Sequence, residues 1–167
     1  MAVTSFDPRN PQFQICGSGI PQVVYGHDED ASESFKAGQL VYFDASGQVI
    51  VVPDGGTEPV AGIALKDATN TSASNAIEIP VQLITMADEL LIQVGDTSGS
   101  YEASNTTCVP GVGYDTQIIS TNLHILNSAD TSNQTFVYVG PVLNAAGAST
   151  YWGRVRPYYL ENQISAE

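Results

Sequence analysis

Positive charge is scarce in this chain. Five lysines and arginines stand against 18 aspartates and glutamates, so the formal net charge of the 167 residues is −13. A surface of this sign repels nucleic acid and anionic bilayers before a specific contact forms. We therefore expect neither nucleic acid nor a membrane as a partner. A neutral or basic protein surface suits this field better.

Groups suited to catalysis or metal binding are also few. Cys16 and Cys108 lack the paired spacing of a zinc or thioredoxin-type site, and we interpret them as two buried thiols. Of the two histidines, His27 lies in no catalytic motif, and an alternating strand turns His124 toward solvent or a hydrogen-bonded niche. The acidic run from Asp28 lacks the central glycine of an EF-hand loop. The sequence predicts no catalytic residue, no metal site and no cofactor, and an enzyme is the least favoured class.

Long apolar runs and helical periodicity are missing as well. No stretch is long enough to span a membrane as a helix, and the first residues lack the cationic start and apolar run of a secretion signal. No window shows a convincing helical period. These features leave β-structure as the expected architecture.

Short runs of β-branched and aromatic residues separated by turn residues fill most of the chain. In the clearest case, residues 40–43 and 49–52 flank residues 44–47, which begin with Asp and end with Gly as a type I turn prefers, and this pattern predicts a β-hairpin. Further strands are expected at 22–25, 60–65, 77–84, 90–94, 112–119, 123–126, 135–142 and 150–158. Such spacing is typical of an all-β antiparallel sandwich, of which a jelly roll is one form.

Prolines and glycines refine this prediction. Pro8 and Pro11 favour an extended N-terminal arm over residues 1–19, which leaves residues 20–167 as a single β-sandwich domain. Pro80 cannot donate to a ladder and therefore predicts an edge or bulged strand, whereas Gly62 predicts a bulge or a close backbone approach. We expect strands 77–84 and 90–94 to form a second hairpin that faces the first across the sandwich. Asp44, Asp67 and Asp115 are interpreted as turn residues.

The strand near the C-terminus carries the candidate partner-binding residues. In a regular strand Trp152, Arg154, Arg156 and Tyr158 lie on one face, and aromatic residues with arginine are the types most enriched at protein interfaces. We expect this face to meet either the acidic surface of a sister subunit or another partner. An extended arm can also grip a neighbour. The predicted partner-binding set is Arg9, Phe13, Trp152, Arg154, Arg156 and Tyr158.

Four short motifs stand in the first half of the chain: FKAGQLV at 35–41, DASGQV at 44–49, VAGIALKDA at 60–68 and IPV at 79–81. Together they resemble the decoration, or cement, proteins of tailed-phage heads. In that family a Gly-led strand pair precedes a GIAL-x-DA stretch and a strand that enters through a Pro-Val step. The resemblance covers the chain to about residue 94, and the second half matches no such pattern.

The resemblance implies a structural virion protein. Such a protein binds the outer surface of the expanded phage capsid and stabilises contacts between major capsid subunits, its partner being the major capsid protein. It also implies a homo-oligomer, a trimer before a dimer, made in the host cytoplasm and located on the capsid exterior. The alternative is a phage tail or fibre accessory module that binds cell-surface carbohydrate, because Tyr151, Trp152, Tyr158 and Tyr159 cluster near the end.

Overall fold

The computed structural model describes residues 13–15, 23–28, 34–45, 47–55, 58, 60–69, 77–85, 88–96, 107–119 and 123–158. Every regular element in these residues is a β-strand, and none of them forms a helix that could cross a membrane. The strands are β1 (Phe13–Ile15), β2 (Val23–Asp28), β3 (Ser34–Phe35), β4 (Leu40–Phe43), β5 (Val49–Val51), β6 (Gly62–Ala64), β7 (Ala68–Thr69), β8 (Ile77–Leu83), β9 (Leu90–Gly95), β10 (Gly113–Tyr114), β11 (Thr116–Ile119), β12 (Leu123–Asn127), β13 (Phe136–Leu143) and β14 (Ser149–Pro157). The all-β prediction is confirmed.

The first half builds one sheet, which we term the N-terminal sheet. Its order is β2-β8-β6-β4-β5, each pair is antiparallel, and the edge strands β2 and β5 also contact each other, so the sheet curls. Its inner face encloses the buried side chains of Phe35, Val41, Val49, Ala64, Ile79 and Val81. A separate two-stranded pair, β3 with β7, brings Phe35 over this core. The curled sheet thus has a hydrophobic core of its own.

The second half builds the C-terminal sheet, in the order β10-β13-β14-β9-β12-β11. Strands β10 and β11 are separated only by Asp115, so one continuous segment pairs first with β13 and then with β12. The sheet therefore closes into a ring. Its pairs are antiparallel except β12 with β9, which is parallel.

The two sheets meet face to face over a shared core. Because side chains alternate along a strand, Leu40 points away from the inner core that holds Val41, and Ile63 points away from Ala64. Leu40, Val52, Ile63 and Ile84 pack instead against buried side chains of the second half, namely Leu90, Ile92, Val94, Leu126, Phe136, Tyr138 and Val155. Each such buried aliphatic side chain contributes about 1.5–3 kcal/mol relative to exposure. The arrangement is sandwich-like, with part of the outer face of the N-terminal sheet covered by the C-terminal sheet.

The first predicted hairpin is confirmed in detail. Gly47 has a φ of 78° and donates its N–H to the carbonyl of Asp44 at 3.0 Å, while the Asp44 carboxylate accepts the Gln48 N–H at 2.8 Å. The close approach at Gly62 is also confirmed, because a Cβ there would collide with the Gln82 backbone. Gly47 is required locally, because its φ is positive, whereas Gly62 is required because β8 approaches it closely.

The prediction of an edge or bulged strand at Pro80 is wrong. Strand β8 lies inside the N-terminal sheet, between β2 and β6. The Pro80 carbonyl accepts the Leu65 N–H at 2.9 Å, so the proline nitrogen faces the same side, where β6 has already ended at Ala64. The missing donor therefore falls where no ladder bond is needed. An interior strand tolerates proline at such a place.

The second predicted hairpin is also wrong. Strand β8 belongs to the N-terminal sheet, whereas β9 pairs with β1, β12 and β14 of the C-terminal sheet. Leu90, Ile92 and Val94 are all in the core, as alternation predicted, but Gln93 between them is buried as well. Alternation carries no information about which strand will pair, and here the partners come from distant parts of the chain.

Candidate partner-binding surfaces

The predicted face of β14 is present. Gly153, Val155 and Pro157 are buried, whereas Arg154 and Arg156 between them are exposed. The register pairs Trp152 with Gln93, Arg154 with Leu91 and Val155 with Leu90. The two arginines and Trp152 therefore lie on the outer face of the C-terminal sheet, next to the matching face of β9.

Glu89, which immediately precedes β9, forms ion pairs with the guanidinium groups of Arg154 and Arg156. Arg154 Nη1 lies 3.4 Å from Glu89 Oε1, and Arg156 Nη2 lies 3.8 Å from Glu89 Oε2. The arginine side chains remain 44% and 57% exposed, whereas that of Glu89 is 20% exposed. Two cations share one carboxylate here, so this arginine cluster (Glu89, Arg154, Arg156) carries a formal charge of +1.

The Arg154 side chain lies against the backbone of β13 at Gly140. Arg154 pairs with Gly140 in the register, next to a bulge in β13. A Cβ added to Gly140 would stand 3.2 Å from Arg154 Nη2, so the guanidinium lies close over the glycine. The absence of a side chain at position 140 thus leaves room for the guanidinium to reach Glu89.

The other predicted site residues lie elsewhere in the C-terminal half of the structure, on the edge of β9, or outside the described residues. Phe13 lies in β1, where it pairs with Ile92 on the edge of β9 opposite β14. Tyr158 follows β14 and donates its N–H to the Thr135 carbonyl at 2.9 Å. Arg9, like the rest of residues 1–12, lies outside the described residues, as does Cys16. Cys108 is buried, as predicted.

A second surface was missed in the sequence: an apolar row on the N-terminal sheet. Tyr25 pairs with Pro80, whose carbonyl binds the Leu65 N–H, so these three side chains stand side by side on the outer face. Tyr25 is 65% exposed, Leu65 41% and the neighbouring Val23 42%. We term Val23, Tyr25, Leu65 and Pro80 the apolar row. The alternation of Val23 and Tyr25 in a short strand was the available signal.

His124 occupies a hydrogen-bonded niche between the two sheets. Leu40 accepts the Val52 N–H in the β4–β5 hairpin, but its own N–H points to His124 Nδ1 at 3.4 Å, and His124 Nε2 donates to the Val52 carbonyl at 2.9 Å. A direct bond from the Leu40 N–H to the Val52 carbonyl is therefore absent, and the imidazole bridges these two groups instead. Burial lowers the pKa of His124 to about 4, so the ring is neutral at pH 7. The residue joins the sheets structurally.

Asp115 lies between β10, which pairs with β13, and β11, which pairs with β12. Its carboxylate accepts the Thr116 N–H at 2.7 Å and the Thr135 hydroxyl at 2.9 Å, so local turn chemistry explains only part of its role. Burial raises the pKa of Asp115 to about 6 despite these bonds, and the negative charges of Asp130 and Asp54 add to the rise. Among the described residues, no three acidic, histidine or cysteine side chains are grouped to hold a metal ion.

The comparison with known families bears on the first half of the chain. Residues 19–81 match the phage cement protein family. The match confirms the resemblance carried by the four motifs, although it ends before residue 94 and covers less than half of the 167 residues. No curated protein and no solved structure matches the chain. We term residues 19–81 the cement segment.

The cement segment coincides with the N-terminal sheet. It contains β2 to β7 and most of β8, and therefore both the inner core and the whole apolar row. The arginine cluster lies outside it. Phage cement proteins are structural components of the capsid and not a class of enzymes, so the match supports a structural, capsid-stabilising role in the virion.

Proposed function

We propose that this protein binds the outer surface of the expanded phage capsid and stabilises contacts between major capsid subunits, without catalysis. The observation that carries the proposal is the coincidence of the cement segment with a curled sheet that has its own core. Such a sheet is a rigid platform, and a rigid platform loses little entropy on binding. Many copies on one shell add many modest contacts, which act together through high effective concentration.

The apolar row is the surface that we assign to the major capsid protein. A function shared by a family is expected to reside in the part that its members share, and the row lies wholly within the cement segment. Tyr25 supplies a large amphipathic ring, which is a typical interface anchor. Glu78, two positions before Pro80 in β8, is exposed on the same face as the row, and the row itself carries no charge. An apolar and nearly neutral surface avoids the repulsion that the net charge would impose on an acidic shell.

Tyr25→Ser with Leu65→Ser is expected to weaken binding to purified expanded heads by at least about tenfold, because truncating interface anchors typically costs above 1 kcal/mol each. Binding is measured by co-sedimentation of the purified protein with heads that lack it. Leu143→Ser removes a comparably exposed apolar side chain, 56% exposed, from outside the cement segment and serves as the matched control. Equal binding by the double variant and the control would contradict the assignment.

The N-terminal arm is proposed as a second attachment point. Strand β1 pairs residues 13–15 with the edge of β9, so the residue that follows Arg9 and the rest of 1–12 in the chain is attached to the C-terminal sheet. An arm that orders on a neighbour gains contact area at the cost of conformational entropy. Phe13 then serves as the link between the arm and the sheet.

Deletion of residues 1–11 is expected to weaken attachment to heads several-fold and to leave the unfolding midpoint unchanged, because β1 and its pairing with β9 are retained. Deletion of residues 1–19 also removes β1 and uncovers part of the β9 edge, so it is expected to lower stability as well. Co-sedimentation and thermal unfolding of both variants separate the two effects. If the shorter deletion saturates heads with unchanged affinity, the arm has no gripping role.

We also propose that the protein forms a homo-oligomer, a trimer in preference to a dimer, on the capsid exterior. Cross-linking and mass measurement of mature particles test both. Binding of the purified chain to cell-surface glycans, with no binding to heads, would instead favour the tail or fibre alternative.

A further inference from the structure

The charge of this chain sets a problem for contacts between its own copies. Each copy carries a formal charge of −13, so two copies approaching at random repel each other. A local surface of opposite sign on one copy offsets this repulsion and favours association at that place. A place where positive charge exceeds negative charge is therefore a candidate contact between copies.

The arginine cluster is such a surface. Of the ion pairs between described residues, Lys36 with Asp67 is balanced, whereas Arg154 and Arg156 share Glu89 alone. Their side chains are about half exposed, and each guanidinium has five N–H donors, of which Glu89 can occupy only some. Free donors in a planar fork match the geometry of a second carboxylate.

The cluster is also fixed in place. Both arginines project from the second half of β14, where Gly153, Val155 and Pro157 are buried, and Arg154 lies between Glu89 and the backbone of Gly140. Trp152 adds apolar area on the same face. These contacts restrict the Arg154 side chain before a partner arrives, which reduces the side-chain entropy lost on binding.

We propose that the arginine cluster is a docking site for carboxylate groups of a second copy of this chain. Charge complementarity favours this occupant, because every copy carries 18 acidic residues against five basic ones. The site lies outside the cement segment, so contact with the shell and contact between copies fall on different parts of the molecule. The contact is heterologous, since a cationic surface meets a different, anionic one, and a heterologous contact closes into a ring when its rotation permits.

The test compares two charge-matched variants by sedimentation velocity at low and moderate salt. Arg154→Glu with Arg156→Glu is expected to weaken self-association at least about tenfold, whereas Lys36→Glu with Lys66→Glu, which changes the net charge by the same amount, has a much smaller effect. Wild-type association is expected to fall as salt rises. Equal weakening by both variants, no weakening by either, or a wild-type chain that stays monomeric at every concentration would overturn the proposal.

A second experiment identifies the occupant directly. Arg156→Lys keeps the charge and introduces an amine, which a carbodiimide couples to a carboxylate in contact with it. We expect cross-linked dimers that the wild-type chain does not give, with the bond joining position 156 of one copy to an acidic residue of another. Cross-links confined to Glu89 of the same copy would contradict the proposal. Binding of the Arg154→Glu, Arg156→Glu variant to heads is measured separately, so failure of this inference is distinguishable from failure of the proposed function.

Discussion

Replacing His124 with phenylalanine is expected to lower the free energy of unfolding at pH 7 by about 2–5 kcal/mol, because a buried donor or acceptor left without a partner costs about 1–3 kcal/mol. The phenyl ring fills the space of the imidazole but provides neither Nδ1 for the Leu40 N–H nor a donor for the Val52 carbonyl. Both backbone groups belong to buried residues, so water cannot replace the ring without a cavity. Chemical denaturation at pH 7 measures the difference.

The same substitution is expected to change the pH dependence of stability. The pKa of His124 is lowered from 6.5 to about 4 in the folded state, so the unfolded state binds the proton more readily between these two values. The contribution of His124 is therefore fully present above pH 6.5 and is lost as the pH falls through about 4. At 1.36 kcal/mol per pKa unit the loss is of the order of 3 kcal/mol. His124→Phe abolishes this acid-dependent loss.

His124→Gln serves as the control for ring loss. An amide provides one acceptor and two donors, so we expect it to recover part of the stability at pH 7 while removing the titration. The role assigned to His124 would be contradicted if the Phe and Gln variants were both as stable as the wild type, or if either kept the acid loss between pH 6.5 and 4.

The importance of His124 also shows how far the sequence could be interpreted. The alternation of β12 predicted that the His124 side chain faces solvent or a hydrogen-bonded niche, and residues 40–52 predicted the hairpin that His124 contacts. No local pattern connects these two segments, because they are more than 70 residues apart. The arginine face was predictable for a similar local reason, because alternation alone brings Arg154 and Arg156 together. The role of Glu89 was not, since it follows from the pairing of β9 with β14.

The errors have the same origin. The sequence shows that Pro80 has no backbone N–H to donate. Only the structure shows that β6 ends at Ala64, so that no partner strand requires this N–H. Similarly, the exposure of Tyr25 depends on which part of the N-terminal sheet the second half covers. Local patterns predict strands, turns and buried faces, whereas sheet membership and uncovered surface are decided by contacts between distant segments.

Asp115→Asn is expected to raise the free energy of unfolding at pH 8 by about 1–3 kcal/mol, since the ionised carboxylate is buried at a cost that a neutral amide avoids. The amide oxygen can still accept the Thr116 N–H and the Thr135 hydroxyl. The substitution also removes the repulsion between the Asp115 carboxylate and those of Asp54 and Asp130. Denaturation of both proteins between pH 4 and pH 8 measures the gain.

The sign of this effect is opposite to that of His124. The pKa of Asp115 is raised from 3.8 to about 6, so the folded state holds the proton more tightly than the unfolded state between these values. Its contribution to stability is present below pH 3.8 and is lost as the pH rises through about 6. The advantage of Asp115→Asn is therefore expected to shrink as the pH falls below 6 and to vanish near pH 4.

Asp67→Asn provides the matched control, because the Ala37 N–H and the Lys36 ammonium lower the pKa of the Asp67 carboxylate. The same chemical change at position 67 is expected to lower stability at neutral pH, since it removes a charge that the folded state favours. A loss of stability in Asp115→Asn at pH 8, like the loss expected for Asp67→Asn, would contradict the cost assigned to burying the ionised Asp115 carboxylate. A constant difference between Asp115→Asn and the wild type from pH 4 to pH 8 would exclude the titration itself, because an ionisation that differs between folded and unfolded states must change stability across the interval between its two pKa values.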